Sequence, residues 1–478
     1  MRQRFEVQLR LGTTPIEEVK IPTKTRSHMA ALVEALQYIY SSPKWNHQVF
    51  TLLSEKLLKG KQHTGRPGMS LWEIFVLGQV RLCMNISYDE LHHQANYDTL
   101  LRGILGVLPT DYSLGKQYEY QNIYDNVKGV DDALLKEIND VIVAVGHEVF
   151  KKKESAALRL KTDSFVVETD THFPTDYNLL WDSARKCIQV AGKLQVEGWR
   201  KSTHWQKALK NLMRAVGQAS RGGGKNKESR LATLVGRYLK KARALAKKVA
   251  CLLTDYTPST VKDLLYLQEL TYYDEMLRKH IDLVERRLIK KETIPHGEKV
   301  FSIFQSYTEW INKGKLHPNV EIGKKLFVTS DQYHLVVDWQ IGERQADNEL
   351  TLSIAERLHE KYPLQSLSVD KGFSDKADKT RLEAFIPEVI MAKKGKPNKE
   401  EKAIESAPAF KKLQHKHSAI ESNINELEHR GLDRCPDRTQ PNFNRYVGLA
   451  ITAYNLHKIG RKLLQLRRAE EKQHKQAA

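Results

Sequence analysis

Apolar positions recur at helical spacing through the first third of the chain and in strand-like runs beyond it. Between Met29 and Tyr40, residues Leu32, Val33, Leu36 and Ile39 fall on one helical stripe, which predicts an amphipathic helix. The turn-rich stretch GKQHTGRPGMS (60–70) ends at Ser70, and Glu73 follows three residues on. That pair predicts a capping box opening a helix over Leu71–Met84 that is apolar on most sides. NISY (85–88) interrupts it, and Tyr88 begins another helix. Helix, short break and helix suit a helix-turn-helix-like unit, and equally a plain helical bundle. A short β-like run, Phe5–Leu9, precedes them.

The period changes after Lys151-Lys152-Lys153. Leu158, Leu160 and Phe165-Val166-Val167 predict a buried strand, and helix returns from Asn178 to about Gln195. Long, heavily basic helices follow over 229–290, after a flexible break at Arg221-Gly222-Gly223-Gly224-Lys225. Near Lys324 strands resume: Leu326-Phe327-Val328 and Tyr333–Trp339 form a hairpin through Ser330-Asp331-Gln332. A helix over Leu350–Tyr362 leads to a strand, Leu364–Val369, that stops at Asp370. A helix around Lys376–Leu382 and a strand over Val389–Ala392 come next. Lys393–Glu401 reads as a loop, His417–Arg430 and Phe443–Leu464 as helices, and 466–478 as a frayed tail.

Length and composition narrow the function classes. The chain has 478 residues and a formal net charge of +19, enough for two to three domains and suited to a polyanionic partner. Between Arg200 and Lys248 there are fifteen Lys/Arg and one acid, Glu228, an imbalance that points to DNA contact. No run of 18 apolar residues occurs, so no membrane partner is expected. The four cysteines are widely spaced and form no CxxC pair, which points to a reducing, cytoplasmic setting.

Against this basic background, acids stand at the structural stations. Asp163 lies on the first strand of the α/β pattern, and Asp370 at the C-terminal end of a later strand, where α/β sheets place ligands. Glu421 shares a helical stripe with His417, Asn425 and Glu428, beside an apolar stripe of Ile420, Ile424 and Leu427. Three convergent carboxylates suit hard cations, Mg²⁺ or Mn²⁺. Two such ions about 4 Å apart support in-line phosphodiester displacement. Glu168 points to the opposite strand face from Asp163. Asp176 and Asp347 read as helix-start residues, and Asp331 as a turn carboxylate.

These residues resemble the DDE transposases of bacterial insertion sequences, most closely the ISNCY-type group. The matching stretches are TDSFVVETDTHFPTDYNLLWDSAR (162–185), LSVDKGFSD (367–375), HSAIESNINELEHRGLDRCPD (417–437) and FNRYVGLAITAYNLHKIGRKL (443–463), after a GRPGMS opening at 65–70. The resemblance implies a ribonuclease-H-like α/β core with Asp163, Asp370 and Glu421 as catalytic and metal-binding triad. It implies two Mg²⁺ or Mn²⁺ ions, and double-stranded DNA, both transposon ends and target, as partner. It also implies a dimer or higher oligomer at work, and a bacterial, nucleoid-associated setting.

Related families carry Arg four residues before the glutamate and Lys seven after; here those positions hold His417 and Glu428. His417, Arg430 and Lys371 are candidate phosphate contacts, and Arg66, Arg200, Lys201, Lys240 and Lys241 candidate DNA contacts. The expected fold is mixed α and α/β. A helical, helix-turn-helix-like DNA-binding region (1–150) precedes the core (151–195 and 321–465), which a basic helical insertion (196–320) interrupts. The expected activity is metal-dependent hydrolysis at the terminal inverted repeats followed by 3′-OH strand transfer. The alternatives are a nuclease of the same fold without strand transfer and an inactive DNA-binding relic.

Overall fold

Ser70 caps its helix as the sequence predicts: its hydroxyl accepts from the Glu73 N–H, while the Glu73 carboxylate accepts from the Ser70 N–H at 2.7 Å. The computed structural model describes residues 13–60, 68–107, 116–153, 155–196, 199, 202–312, 319–393 and 395–477. The expected strand at Phe5–Leu9, and the candidate contacts Arg66, Arg200 and Lys201, lie outside these residues.

The chain divides into two compact units, Met1–Asp170 with Ile311–Ala478, and Thr171–Trp310. The first opens with α1 (His28–Ser41), α2 (Pro43–Leu57), α3 (Leu71–Cys83), α4 (Tyr88–Tyr97), α5 (Thr99–Ile104), α6 (Tyr120–Val127) and α7 (Asp132–Val149), followed by β1 (Leu158–Thr169). The second unit holds α8 (Asp176–Lys193), α9 (Ser202–Arg221), α10 (Lys227–Asp255) and α11 (Val261–Val284). Strand β2 (Glu309–Asn312) spans the boundary. The first unit resumes with β3 (Val320–Ser330), β4 (Val336–Ile341), α12 (Asp347–Lys361), β5 (Leu364–Val369), α13 (Lys376–Glu383) and β6 (Glu388–Met391). It ends with α14 (Lys399–Ser406), α15 (Pro408–His417), α16 (Ala419–Leu427), β7 (Arg434–Cys435) and α17 (Gln440–Ala477).

The fold is mixed α and α/β around one seven-stranded mixed sheet in the order β2-β3-β1-β5-β6, with β4 also paired to β3 and β7 to β1. Strand β3 is antiparallel to β1 and to β4. Strands β5 and β6 run parallel to β1 and to each other. Leu350, Ile354 and Leu358 of α12 pack with Leu160, Leu367, Val369 and Phe373 into one apolar cluster, which fixes the sheet against that helix.

Several expectations change. Residues 1–150 are not a unit of their own, because α1 and α7 pack along α17 near the other end of the sequence. Every residue of α3 is buried. The insertion starts directly after β1, at Thr171, and ends at Trp310, instead of running 196–320. It takes in α8, whose apolar face (Leu180, Ala184, Cys187, Ala191) joins Val216, Val235, Tyr238 and Leu277 in a core separate from the sheet's. Trp181 is buried there, and Trp199 and Trp205 pack against the same core. Residues 466–477 are no frayed tail: α17 continues to Ala477.

The contact between α1 and α17 depends on Gly460, where a Cβ would stand 1.6 Å from the Ala31 carbonyl oxygen. The neighbour is backbone and cannot rotate away, so the two helices would have to separate. Gly460→Ala is expected to destabilise the first unit by about 3 kcal/mol, the upper end of overpacking effects. A thermal melt checks this, and an unchanged midpoint would mean that the helices shift without cost.

Candidate active site

Strand register builds the site. Strand β5 runs beside β1 with Leu160 against Leu367, Lys161 against Ser368 and Thr162 against Val369. One residue further along stand two acids, Asp163 within β1 and Asp370 directly after β5. Asp370 ends β5 and opens a 3₁₀ turn, Lys371–Phe373, closed by the Phe373 N–H donating to the Asp370 carbonyl at 3.0 Å. Glu421 lies in the first turn of α16. Buried Ile420, Asn423, Ile424 and Leu427 dock that helix, and the Asn423 amide donates to Ser330 Oγ at the end of β3 at 3.1 Å. The apolar stripe read from the sequence therefore does seat α16 against the sheet, with Glu421 exposed beside it.

The acids sense one another. Burial pushes the Asp163 carboxyl up to about 6, and the charges of Asp370, Asp347 and Glu421 push the same way, against the hydrogen bond it accepts from the Ser164 N–H. Asp370 and Glu421 are exposed, and neither side chain has a hydrogen-bond or salt-bridge partner among the described residues. One half-buried carboxylate and two open ones, all oxygen donors, match the preference of Mg²⁺ or Mn²⁺. A cation there would relieve the repulsion that raises Asp163. As the side chains stand, no three His, Cys, Asp or Glu groups among the described residues close on a single point.

Asp347 is a fourth acid that the sequence leaves as a helix cap. It sits at the first position of α12, but its carboxylate accepts from Ser164 Oγ at 3.1 Å and from Lys325 Nζ at 2.9 Å. It also lies against Gly372, where a Cβ would come within 3.3 Å of its Oδ2. Asp347 thus links β1, β3 and the turn after Asp370. Asp347→Asn removes one of the charges that raise Asp163, so the Asp163 carboxyl is expected to titrate lower, toward the ordinary aspartate range. Carbon-13 NMR of the metal-free protein reads this directly. An unmoved Asp163 would leave Asp347 serving only Lys325 and Ser164.

The candidate phosphate contacts separate clearly. His417 ends α15, and α16 begins afresh at Ala419, so His417 and Glu421 do not share one helix as expected. Ser418 makes the break by donating its hydroxyl to the His415 carbonyl at 2.7 Å. His417 nevertheless belongs to the site. Burial lowers its pKa, while Asp370, Glu421 and the Ser368 backbone pull it upward, and both ring nitrogens are shielded from solvent. Lys371 is exposed next to Asp370.

Arg430 does not serve as a phosphate contact. It is 4% exposed, and its guanidinium donates to the Cys83 carbonyl at 2.8 Å, to Glu426 at 3.1 Å and to the His457 ring at 2.8 Å. Lys161 is the cation that sequence reasoning passed over. It shares a strand face with Asp163, two residues away, and its charge acts on His417. That period-two spacing was the available signal.

In the second unit, Lys240 is exposed and Lys241 half-buried on α10. The buried stripe of that helix is Leu231, Val235, Tyr238, Ala242, Leu245 and Val249, so most of its lysines and arginines fall on the outer face.

Among the described residues, no helix is long and apolar enough to cross a membrane. Compared with family models, with curated proteins and with solved structures, the chain finds no match.

Proposed function

We propose that this chain is a DDE-type DNA transposase. It binds the terminal inverted repeats of an insertion sequence, hydrolyses a phosphodiester at each end and transfers the freed 3′-hydroxyl to target DNA. The observation that carries this is the placement of Asp163 in β1 next to Asp370, which directly follows the parallel neighbour β5, with Glu421 close enough in charge to raise Asp163. The strand order β4-β3-β1-β5-β6, antiparallel through β1 and parallel beyond it, supports a ribonuclease-H-like core.

Asp163, Asp370 and Glu421 would hold two divalent cations, and these would supply activation of the attacking oxygen and stabilisation of the leaving one. Asp347 holds Lys325 and Ser164 in place beside Asp163. His417, neutral at pH 7, and Lys161 stand where a scissile phosphate meets the acids, and Lys371 lies at the rim. The outer face of α10, with Lys240 and Lys241, contacts the DNA backbone. By the same resemblance, joining two ends implies at least two copies of the chain.

The test is incubation of a labelled duplex carrying the element's end with the protein and Mg²⁺ or Mn²⁺. Cleavage at the end, followed by joined products, supports the transposase. Cleavage without joining would leave a nuclease, and binding without cleavage in either metal would overturn the enzyme.

A further inference from the structure

The last turns of α17 carry Arg468, Lys472 and Lys475 at helical spacings of four and three, so the three lie along one face over about 10 Å. This face borders a groove of about 410 Å³, whose other wall is the extended segment Lys24–Arg26. Two features fix that segment. The Arg468 guanidinium donates to the Thr23 carbonyl and, at 3.3 Å, to the Thr25 carbonyl, and the Thr23 hydroxyl donates to Glu471 at 3.3 Å. The one acid of the groove is thereby engaged. Lys24, Arg26, Lys472 and Lys475 are exposed, and among the described residues none stands within salt-bridge distance of an acid.

Four unpaired cations on two walls repel one another, and folding alone gives no return for holding them together. A polyanion lying in the groove does. The groove's lining contains no apolar side chain, whereas a helix that rests on a lipid surface needs an apolar face to bury.

We infer that the groove between Lys24–Arg26 and the end of α17 is a second nucleic-acid contact, which takes the phosphate backbone of duplex DNA without reading its sequence. It shares no residue with the acidic site or with the basic face of α10, and it does not depend on the proposed chemistry. Each phosphate neutralised contributes about 0.9 to the slope of log affinity against log salt.

The experiment compares the wild-type chain with the quadruple variant Lys24→Gln/Arg26→Gln/Lys472→Gln/Lys475→Gln. Binding to a labelled duplex of arbitrary sequence is followed by fluorescence anisotropy across a salt series. The expected result is a salt slope shallower by about two to four and binding at least tenfold weaker at 0.1 M salt. The double variant Lys472→Gln/Lys475→Gln should show about half the change in slope, which guards against a folding defect in the quadruple one. A control in which Lys151, Lys153, Lys399 and Lys402 become Gln removes the same net charge elsewhere. An equal loss in that control would reduce the effect to global charge and overturn the inference, as would an unchanged slope in the quadruple variant. So would unaltered DNA binding accompanied by lost binding to vesicles containing phosphatidylserine. Cleavage is not measured, so a failed transposase assay leaves this test standing.

Discussion

Asp163→Asn, Asp370→Asn and Glu421→Gln are each expected to lower end cleavage on the order of 10³-fold or more while leaving DNA binding intact, because each removes several kcal/mol of charge stabilisation from the transition state. The amides keep the shape of the acids and lose only the negative charge that would hold a cation. Because the three act as one unit, the triple variant should be little worse than the single ones. Cleavage of a labelled end in Mg²⁺ measures this, and a variant that cuts like the wild type removes that residue from the site.

Asp163→Asn carries a second, opposite effect. The folded carboxyl titrates at about 6, above its ordinary 3.8. Between those values the folded state holds more protons than the unfolded state. Stability is therefore greatest at low pH and falls as pH rises through about 6. The neutral amide escapes that loss, so the metal-free variant should be more stable than wild type at pH 7, by about 1–2 kcal/mol after allowance for partial solvent screening. The same substitution then abolishes cleavage and raises the melting temperature. An ordinary packing defect would lower both.

Arg430→Met is expected to cost about 3–5 kcal/mol, as breaking a buried ion pair does. The guanidinium joins Cys83 of α3, Glu426 of α16 and His457 of α17, and His457 in turn meets His28 of α1 at 3.1 Å. Burial alone would raise the Glu426 carboxyl, yet bonds from His457 and Lys458, with the charges of Lys458 and Arg430, hold it well below the usual range. Without Arg430, that acid keeps Lys458 at 2.6 Å and the His457 ring at 3.6 Å. Arg430→Lys would not rescue fully, because an ammonium cannot reach three partners with a planar fork. Chemical denaturation reads the loss. A change under about 1 kcal/mol would return Arg430 to the role of an available cation.

The contrast between Asp370 and Arg430 marks how far the sequence could be read. Asp370 closes a short strand-like run, Leu364–Val369, and precedes a glycine turn, both local signals, and it stands where those signals put it. Ser70 and Glu73 are likewise local and form their capping box. Arg430 looked like an available cation because the partners that bury it, Cys83 and His457, are distant in sequence. The same limit hid Asp347, whose link to Lys325 and Ser164 depends on strand register. It also hid the true start of the insertion, since the helical period of α8 is the same whichever core it packs against. The break at Ser418 was missed because a hydroxyl bonding back to His415 leaves no mark in the apolar pattern.

The way the second unit interrupts the sheet sets the order in which the chain can fold. Strand β1 has no partner nearby in sequence: its neighbours are β3, β5 and β7, and Asp163 pairs with Val328. During synthesis β1 emerges well before anything that can cover its edges, and an uncovered apolar strand invites aggregation. The second unit has its own core, so it can fold while β1 waits, which shortens the loop that must close before β3 arrives. The three acids are all present only after Glu421 has been made, so under the proposed function a nascent chain carries the charge that would hold DNA long before it could assemble a site that cuts.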